Sequence, residues 1–273
     1  MTVRQRSVTL VSLEELNFRD MERSFETMEN FVFMFAIGAL PRLQKLDFSR
    51  TGFGVQGMML FYNVLQRGIL PSLKTLNLSK NKFGAEGMKA FSTALNRESL
   101  PNLQTLDLSE NNFGAEGMIA FCIALPRRPL PKLQRLNLMS NDFGEEGMTA
   151  FATALNKFVL PSLHYLYLTD NKFGEKGMEA LATALLEGAL PDLVHLDLLR
   201  NDMTEKSMDA FSTLLCDTST LKNLETFKCS QDLISQGKYL KVLNSVLKSR
   251  PGLFFLCFKS TQTLIQNDFS LVQ

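Results

Sequence analysis

Every thirty residues this chain says nearly the same thing. The segment LPSLKTLNLSKNKFGAEGMKAFSTAL, beginning at Leu70, is followed by LPNLQTLDLSENNFGAEGMIAFCIAL, by LPKLQRLNLMSNDFGEEGMTAFATAL and by LPSLHYLYLTDNKFGEKGMEALATAL. Prolines recur at Pro41, Pro71, Pro101, Pro131, Pro161 and Pro191. Leucines follow two residues later and again three residues after that, as in Leu73 and Leu76. A gap-free period of this length restricts the chain to a solenoid, in which no unit buries its apolar face alone and each is completed by its neighbours.

The apolar spacing changes within each unit. In LKTLNL, Leu76 and Leu78 stand two apart, the period of a strand, and Thr75 and Asn77 face the other way. NKFG then reads as a turn. After it, Met88, Phe91 and Leu95 follow the spacing of a helix stripe. Each unit is therefore strand, turn, helix and return. Helices about 10 Å wide stack against strands about 4.8 Å apart, so the stack curves with its strands inside. The expectation is an α/β horseshoe of about nine repeats, with parallel strands on the concave face and helices on the convex face. Asn81, Asn111, Asn141, Asn171 and Asn201 stand where each strand ends. An amide offers both a donor and acceptors, so these residues are expected to form a structural ladder that pairs backbone groups between turns. Phe53, Phe83, Phe113, Phe143 and Phe173 are expected to stack as a core spine.

The pattern LxxLxLxxNxFGxxGMxAFxxAL resembles the leucine-rich repeat, in its ribonuclease-inhibitor-like subclass, over roughly residues 10–258. The resemblance implies a right-handed horseshoe whose concave face binds other proteins. Relatives of this type include inhibitors, sensor regions of innate-immunity receptors, actin-regulatory proteins and Ran GTPase activators.

One domain is expected over residues 1–273. Residues 1–38 form a degenerate N-terminal cap repeat, 39–217 six regular repeats, and 218–273 divergent C-terminal repeats and a cap. Leu253, Leu256 and Phe258 of the last strand are expected to face the core, with Phe255 and Cys257 outward. The tail from Thr261, with Leu264, Ile265, Phe269 and Leu271, is expected to cover that end. The net charge of +1 gives no global field for nucleic acid. The longest apolar run, Phe31–Leu40, is far short of the roughly 20 residues that span a bilayer. The N-terminus shows no secretory pattern. Cys122, Cys216, Cys229 and Cys257 have no metal-ligand spacing and read as reduced thiols. The chain is thus expected to be a cytoplasmic monomer, with the nucleus left open, binding no nucleic acid, membrane, metal or cofactor.

Chemistry is sparse. The two histidines are His164 and His195, and Asp197 shares a strand face with His195. An acid–base pair is conceivable there, but two exposed side chains are the simpler reading, and no enzyme is expected. The copies differ most on the outward strand positions. Early units carry Thr75, Asn77, Thr105 and Asp107. Later ones carry Arg135, Asn137 and Met139, then Tyr165 and Tyr167, then His195, Asp197 and Leu199. Tyrosine, arginine and methionine are enriched at interfaces. Arg135, Met139, Tyr165, Tyr167, His195, Asp197 and Leu199 are therefore expected to bind a protein partner, as in an adaptor. The alternatives are a GTPase activator like those of Ran, which would need a polar and basic rim cluster, or the sensor fragment of a larger cytosolic receptor.

Overall fold

The computed structural model describes residues 12–20, 40–95, 99–127, 130–156, 158–230 and 236–258. Among the described residues nine strands form one parallel sheet in chain order: β1 (Glu15–Asn17), β2 (Lys45–Asp47), β3 (Thr75–Asn77), β4 (Thr105–Asp107), β5 (Arg135–Asn137), β6 (Tyr165–Tyr167), β7 (His195–Leu198), β8 (Thr226–Ser230) and β9 (Phe254–Phe258). Seven helices among the described residues alternate with them: α1 (Gly54–Gln66), α2 (Gly84–Ala94), α3 (Gly114–Ala124), α4 (Gly144–Ala154), α5 (Gly174–Leu186), α6 (Glu205–Cys216) and α7 (Gln236–Ser249). The result is an α/β solenoid with a period of about thirty.

The core runs between sheet and helices. Leu73, Leu76 and Leu78 from the strand side meet Met88 and Phe91 from the helix side, all fully buried. Phe83, Phe113, Phe143 and Phe173 lie one above another, and the Phe113 and Phe143 rings stack at 6.1 Å with an interplanar angle of 3°. This spine explains why a glycine opens the helix face above it. A Cβ on Gly117 would fall 2.7 Å from the Phe113 Cβ, closer than side chains tolerate. The helices α1 to α5 start without a side-chain cap. Instead, at α1 to α4, a glycine amide donates to the next repeat, as Gly84 N does to the Asn111 carbonyl at 3.0 Å. Gly84 holds φ +60°, where L residues are strained. The seventh repeat has Thr204 in place of that glycine, and a capping box between Thr204 and Ser207 takes over.

Beneath the strand ends lie the asparagines. Asn111 is fully buried. Its Oδ1 accepts from Asn81 N at 2.8 Å. Its Nδ2 donates to the Leu78, Leu108 and Ser109 carbonyls at 2.9, 2.9 and 3.1 Å. Asn81, Asn141, Asn171 and Asn201 are bonded in the same way, each tying its own turn to the one before. Thr51 stands one step earlier. It donates its amide to Asn81 Oδ1 and its hydroxyl to the Phe48 carbonyl at 2.8 Å, so the series ends on a smaller polar side chain.

The register departs from thirty only at the C-terminal end. Leu196 pairs with Phe227, a step of thirty-one, and Phe227 with Phe255, a step of twenty-eight. This corrects the expected orientation of the last strand. Phe255 faces the core and stacks on Phe227 at 5.4 Å, while Phe254 is 54% exposed. A one-residue shift reverses every side chain of a strand. Placing Phe255 inward continues the ring contact between Phe211 and Phe227. The expected C-terminal cap from Thr261 and the helix of the N-terminal cap repeat fall outside the described residues.

Replacing Asn111 by alanine strands three carbonyls and one amide in a dry interior. We expect unfolding in urea to show a loss of about 1–3 kcal/mol for each buried group left unsatisfied. Asn111→Asp should do no better than alanine, because a carboxylate keeps the acceptor and loses both donors. An unchanged midpoint for either variant would contradict the structural role.

Candidate functional site

The inner strand face carries two columns of outward side chains. The sheet register places Lys45, Thr75, Thr105, Arg135, Tyr165, His195 and Thr226 in one. Asp47, Asn77, Asp107, Asn137, Tyr167, Asp197 and Lys228 form the other. The second column has a structural duty through most of its length. Asp47, Asn77, Asp107, Asn137 and Asp197 each accept, through Oδ1, the amide two residues on, at 2.8–3.1 Å. Such a turn bends the chain out of the strand. Tyr167 has no oxygen that can reach back this way. Strand β6 therefore gives up a repeated structural contact in order to present a large aromatic ring.

That ring belongs to a packed cluster. The Arg135 guanidinium lies over the Tyr165 ring, 4.2 Å from its centroid, and 5.6 Å from that of Tyr167. It also donates to the Tyr167 hydroxyl at 2.6 Å. His195 completes the group, with its ring 6.2 Å from Tyr165 and 5.1 Å from Tyr167. All four side chains are half-buried. Among the described residues Arg135 has no carboxylate partner. Its charge is held by aromatic faces and one hydroxyl, which fixes the fork while leaving most of its five N–H groups unused.

His195 is uncharged at neutral pH. Burial pushes its pKa below the ordinary 6.5, and Lys228 and Arg135 push the same way against the opposing Asp197. Its Nε2 is buried and makes no hydrogen bond among the described residues. Asp197 is not poised to pair with it as an acid–base couple. Asp197 Oδ1 is taken by the Thr169 hydroxyl at 2.7 Å and the Leu199 amide at 3.1 Å, and its Oδ2 lies 3.7 Å from Lys228 Nζ.

Four of the seven expected contact residues, Arg135, Tyr165, Tyr167 and His195, are brought together. Met139 is half-buried, beyond Asn137 at the strand end. The other two require correction. Asp197 is 7% exposed and Leu199 8%, so neither stands open as a contact. The neighbouring strand explains this: Lys228 and Thr169 close over Asp197, and strand β7 runs one residue longer, keeping the backbone at Leu198 in the sheet. Lys228 escaped the repeat count because the register slips between β7 and β8. The strand alternation of Phe227 and Cys229 already marked it as outward. The asparagines of the ladder lie beneath the strand ends and are not part of this face.

The leucine-rich repeat family matches residues 70–92, 99–122, 130–152 and 159–182, so four consecutive leucine-rich repeats are present. Repeats of this kind mediate protein–protein interaction. No curated protein matches the chain. Among solved structures, a Bacteroides fragilis protein is similar over 94% of this chain and 69% of its own, with a TM-score of 0.52 and 15% identity. That likeness concerns the fold alone. No helix among the described residues is long and apolar enough to cross a membrane.

A histidine that resists protonation in the fold makes stability depend on pH. The unfolded chain takes up the proton more readily once the pH drops below about 6.5. The contribution of His195 is thus fully present above that value, declines below it, and is gone once the pH has fallen through the lower value of the folded state. In His195→Gln this contribution is gone. Thermal melts between pH 5 and pH 7.5 should show a flatter dependence for the variant, and parallel curves would contradict the burial of a neutral imidazole.

Proposed function

We propose that the chain is a protein-binding scaffold that holds its partner on the inner strand face, through Arg135, Tyr165, Tyr167 and His195, with Met139 at the edge. The observation that carries this reading is Tyr167. It replaces the strand-ending aspartate or asparagine of the repeats around it and cradles an arginine that has no carboxylate partner among the described residues. Aromatic rings and arginine dominate binding energy where they are packed beforehand, because little side-chain freedom is then lost on association. The unused guanidinium N–H groups call for acceptors, so the partner segment brings a carboxylate or a run of backbone carbonyls to Arg135.

The helix on the outer side of the regular repeats supports the ribonuclease-inhibitor-like subclass, and the unbroken sheet supports one domain over residues 1–273. A cytoplasmic site of action draws support from Cys122 and Cys216, which are unpaired. Burial pushes the Cys122 thiol up to about 12, so it is not a reactive group. The engagement of Asp197 by Thr169 and Leu199 favours binding over acid–base chemistry. The GTPase-activating alternative draws no support from the geometry.

The test compares recovery of partner from the native cell on immobilised parent and on Tyr165→Ala/Tyr167→Ala, followed by titration of the partner so identified. Truncating two anchors should weaken binding by about 30-fold or more, corresponding to about 2 kcal/mol. The melting temperature should stay near that of the parent, since both rings stand on the face opposite the core. Arg135→Met should lose affinity as well, and chiefly at low salt if a carboxylate is the ligand. A folded double variant that binds as tightly as the parent would place the site elsewhere.

A further inference from the structure

A second surface lies on the opposite side of the molecule. The outer positions of the helices are polar in most repeats: Lys89 and Thr93 in α2, Thr149 and Thr153 in α4, Glu179 and Thr183 in α5, Asp209 and Thr213 in α6. In α3 the same two positions are Ile119 and Ile123. Ile123 is 56% exposed, against the usual direction of burial for isoleucine. In α1 the first of the two is Met59, 47% exposed, but its companion is the polar Asn63. Between α3 and α4 runs a groove of about 750 Å³, with Ile119, Ile123, Pro126 and Ala150 along it. Its α4 side is less polar than its sequence reads. The Thr149 hydroxyl donates to the Glu145 carbonyl and the Thr153 hydroxyl to the Thr149 carbonyl, both at 2.8 Å, so neither needs water.

The ends of this groove carry opposite charge. Arg127 lies three residues past the C-terminus of α3, and Glu146 in the first turn of α4. Both are exposed, and neither has an ion-pair partner among the described residues. Successive helices of a solenoid run parallel, so these charges sit at opposite ends of a groove roughly 16 Å long, at about 1.5 Å per helical residue. An apolar middle, one free cation at one end and one free anion at the other make a surface complementary to itself. A two-fold axis midway along the groove, between Ile119 and Ile123, would set α3 antiparallel to its copy and turn each Arg127 toward the other chain's Glu146. Self-complementarity of this kind is what a closed two-fold interface requires.

We propose that the outer groove between α3 and α4 is a homodimer contact, centred on Ile119 and Ile123 and oriented by Arg127 and Glu146. It departs from the expectation of a monomer. The patch is smaller than the roughly 800 Å² per partner of standard interfaces, so the dimer is weak and depends on concentration. The inner face stays open in it, and two copies present two partner sites.

Sedimentation velocity on the full chain, loaded from about 1 to about 300 μM, spans the range where small interfaces associate. The parent should shift from monomer to dimer across this series. Ile119→Lys/Ile123→Thr, which transplants the α2 residues, should remain monomeric throughout with an unchanged melting temperature. Arg127→Glu should weaken the dimer about tenfold, and Arg127→Glu/Glu146→Arg should restore it, because the swap rebuilds both ion pairs across the two-fold. Tyr165→Ala/Tyr167→Ala should dimerise like the parent, which separates this contact from the inner-face site. A parent monomeric at the highest loading, self-association that survives Ile119→Lys/Ile123→Thr, or a charge swap that fails to rescue would each overturn the proposal. The first of these would leave the groove to a foreign chain.

Discussion

A buried amide that bonds backward governs this molecule. Each ladder asparagine accepts from a backbone amide one turn earlier, that of Thr51 for Asn81 and of the preceding asparagine for the rest, and donates to carbonyls of both turns. A strand of three residues cannot satisfy the backbone where it ends, and no water reaches this layer. The side chain therefore completes what the sheet leaves open. Because every asparagine needs the turn before it, no repeat is stable alone, and the spacing between copies cannot drift where the ladder runs. The steps of thirty hold from β1 to β7 and change only beyond Asn201, the last asparagine of the series.

With polar satisfaction handled below the sheet and apolar burial handled by leucine and phenylalanine, little constrains the two exposed surfaces. The inner face is still not wholly free, since Asp47, Asn77, Asp107 and Asn137 bend the chain out of each strand. Departure from a residue with a duty says more than departure from a solvated one. Tyr167 is such a departure, and the surrounding structure answers it: Arg135 reaches across to its hydroxyl, and the Thr169 hydroxyl turns to Asp197 of the next strand. On the outer face the informative departure has the opposite sign, with Ile119 and Ile123 apolar where most other copies are polar.

The inner cluster also has a defined charge state. His195 stays neutral because it is half-buried between two cations, Lys228 and Arg135. The fixed positive charge of the cluster is therefore Arg135, stacked on a ring and unpaired with any carboxylate among the described residues. Lys228 is turned toward Asp197 at 3.7 Å. A ligand carboxylate meets one oriented guanidinium instead of a diffuse basic patch, which ties affinity to position as well as to charge.

Sequence alone determined the period, the alternation of strand and helix, the phenylalanine spine from Phe83 to Phe173, and which side of each strand faces out in every strand before the last. All of these are local or repeat at a constant interval, and spacing is what a sequence displays. It also placed Arg135, Tyr165, Tyr167 and His195 on one face, because a common register of thirty aligns them. What it could not decide was closure. Asp197 and Leu199 share the outward period of their neighbours, yet Lys228, Thr169 and the longer strand β7 cover them, and Lys228 comes from beyond the register slip. The reversed orientation of Phe255 and Phe254 has the same origin: once the interval stops being constant, the pairing of strands sets the face, and pairing is a contact between distant parts of the chain. The isoleucines of α3 were legible as letters, but a helix shows its apolar stripe only as a spacing. That Ile123 lies outside the stripe, beside a groove whose two end charges have no ion-pair partner among the described residues, became visible only when the neighbouring helix stood next to it.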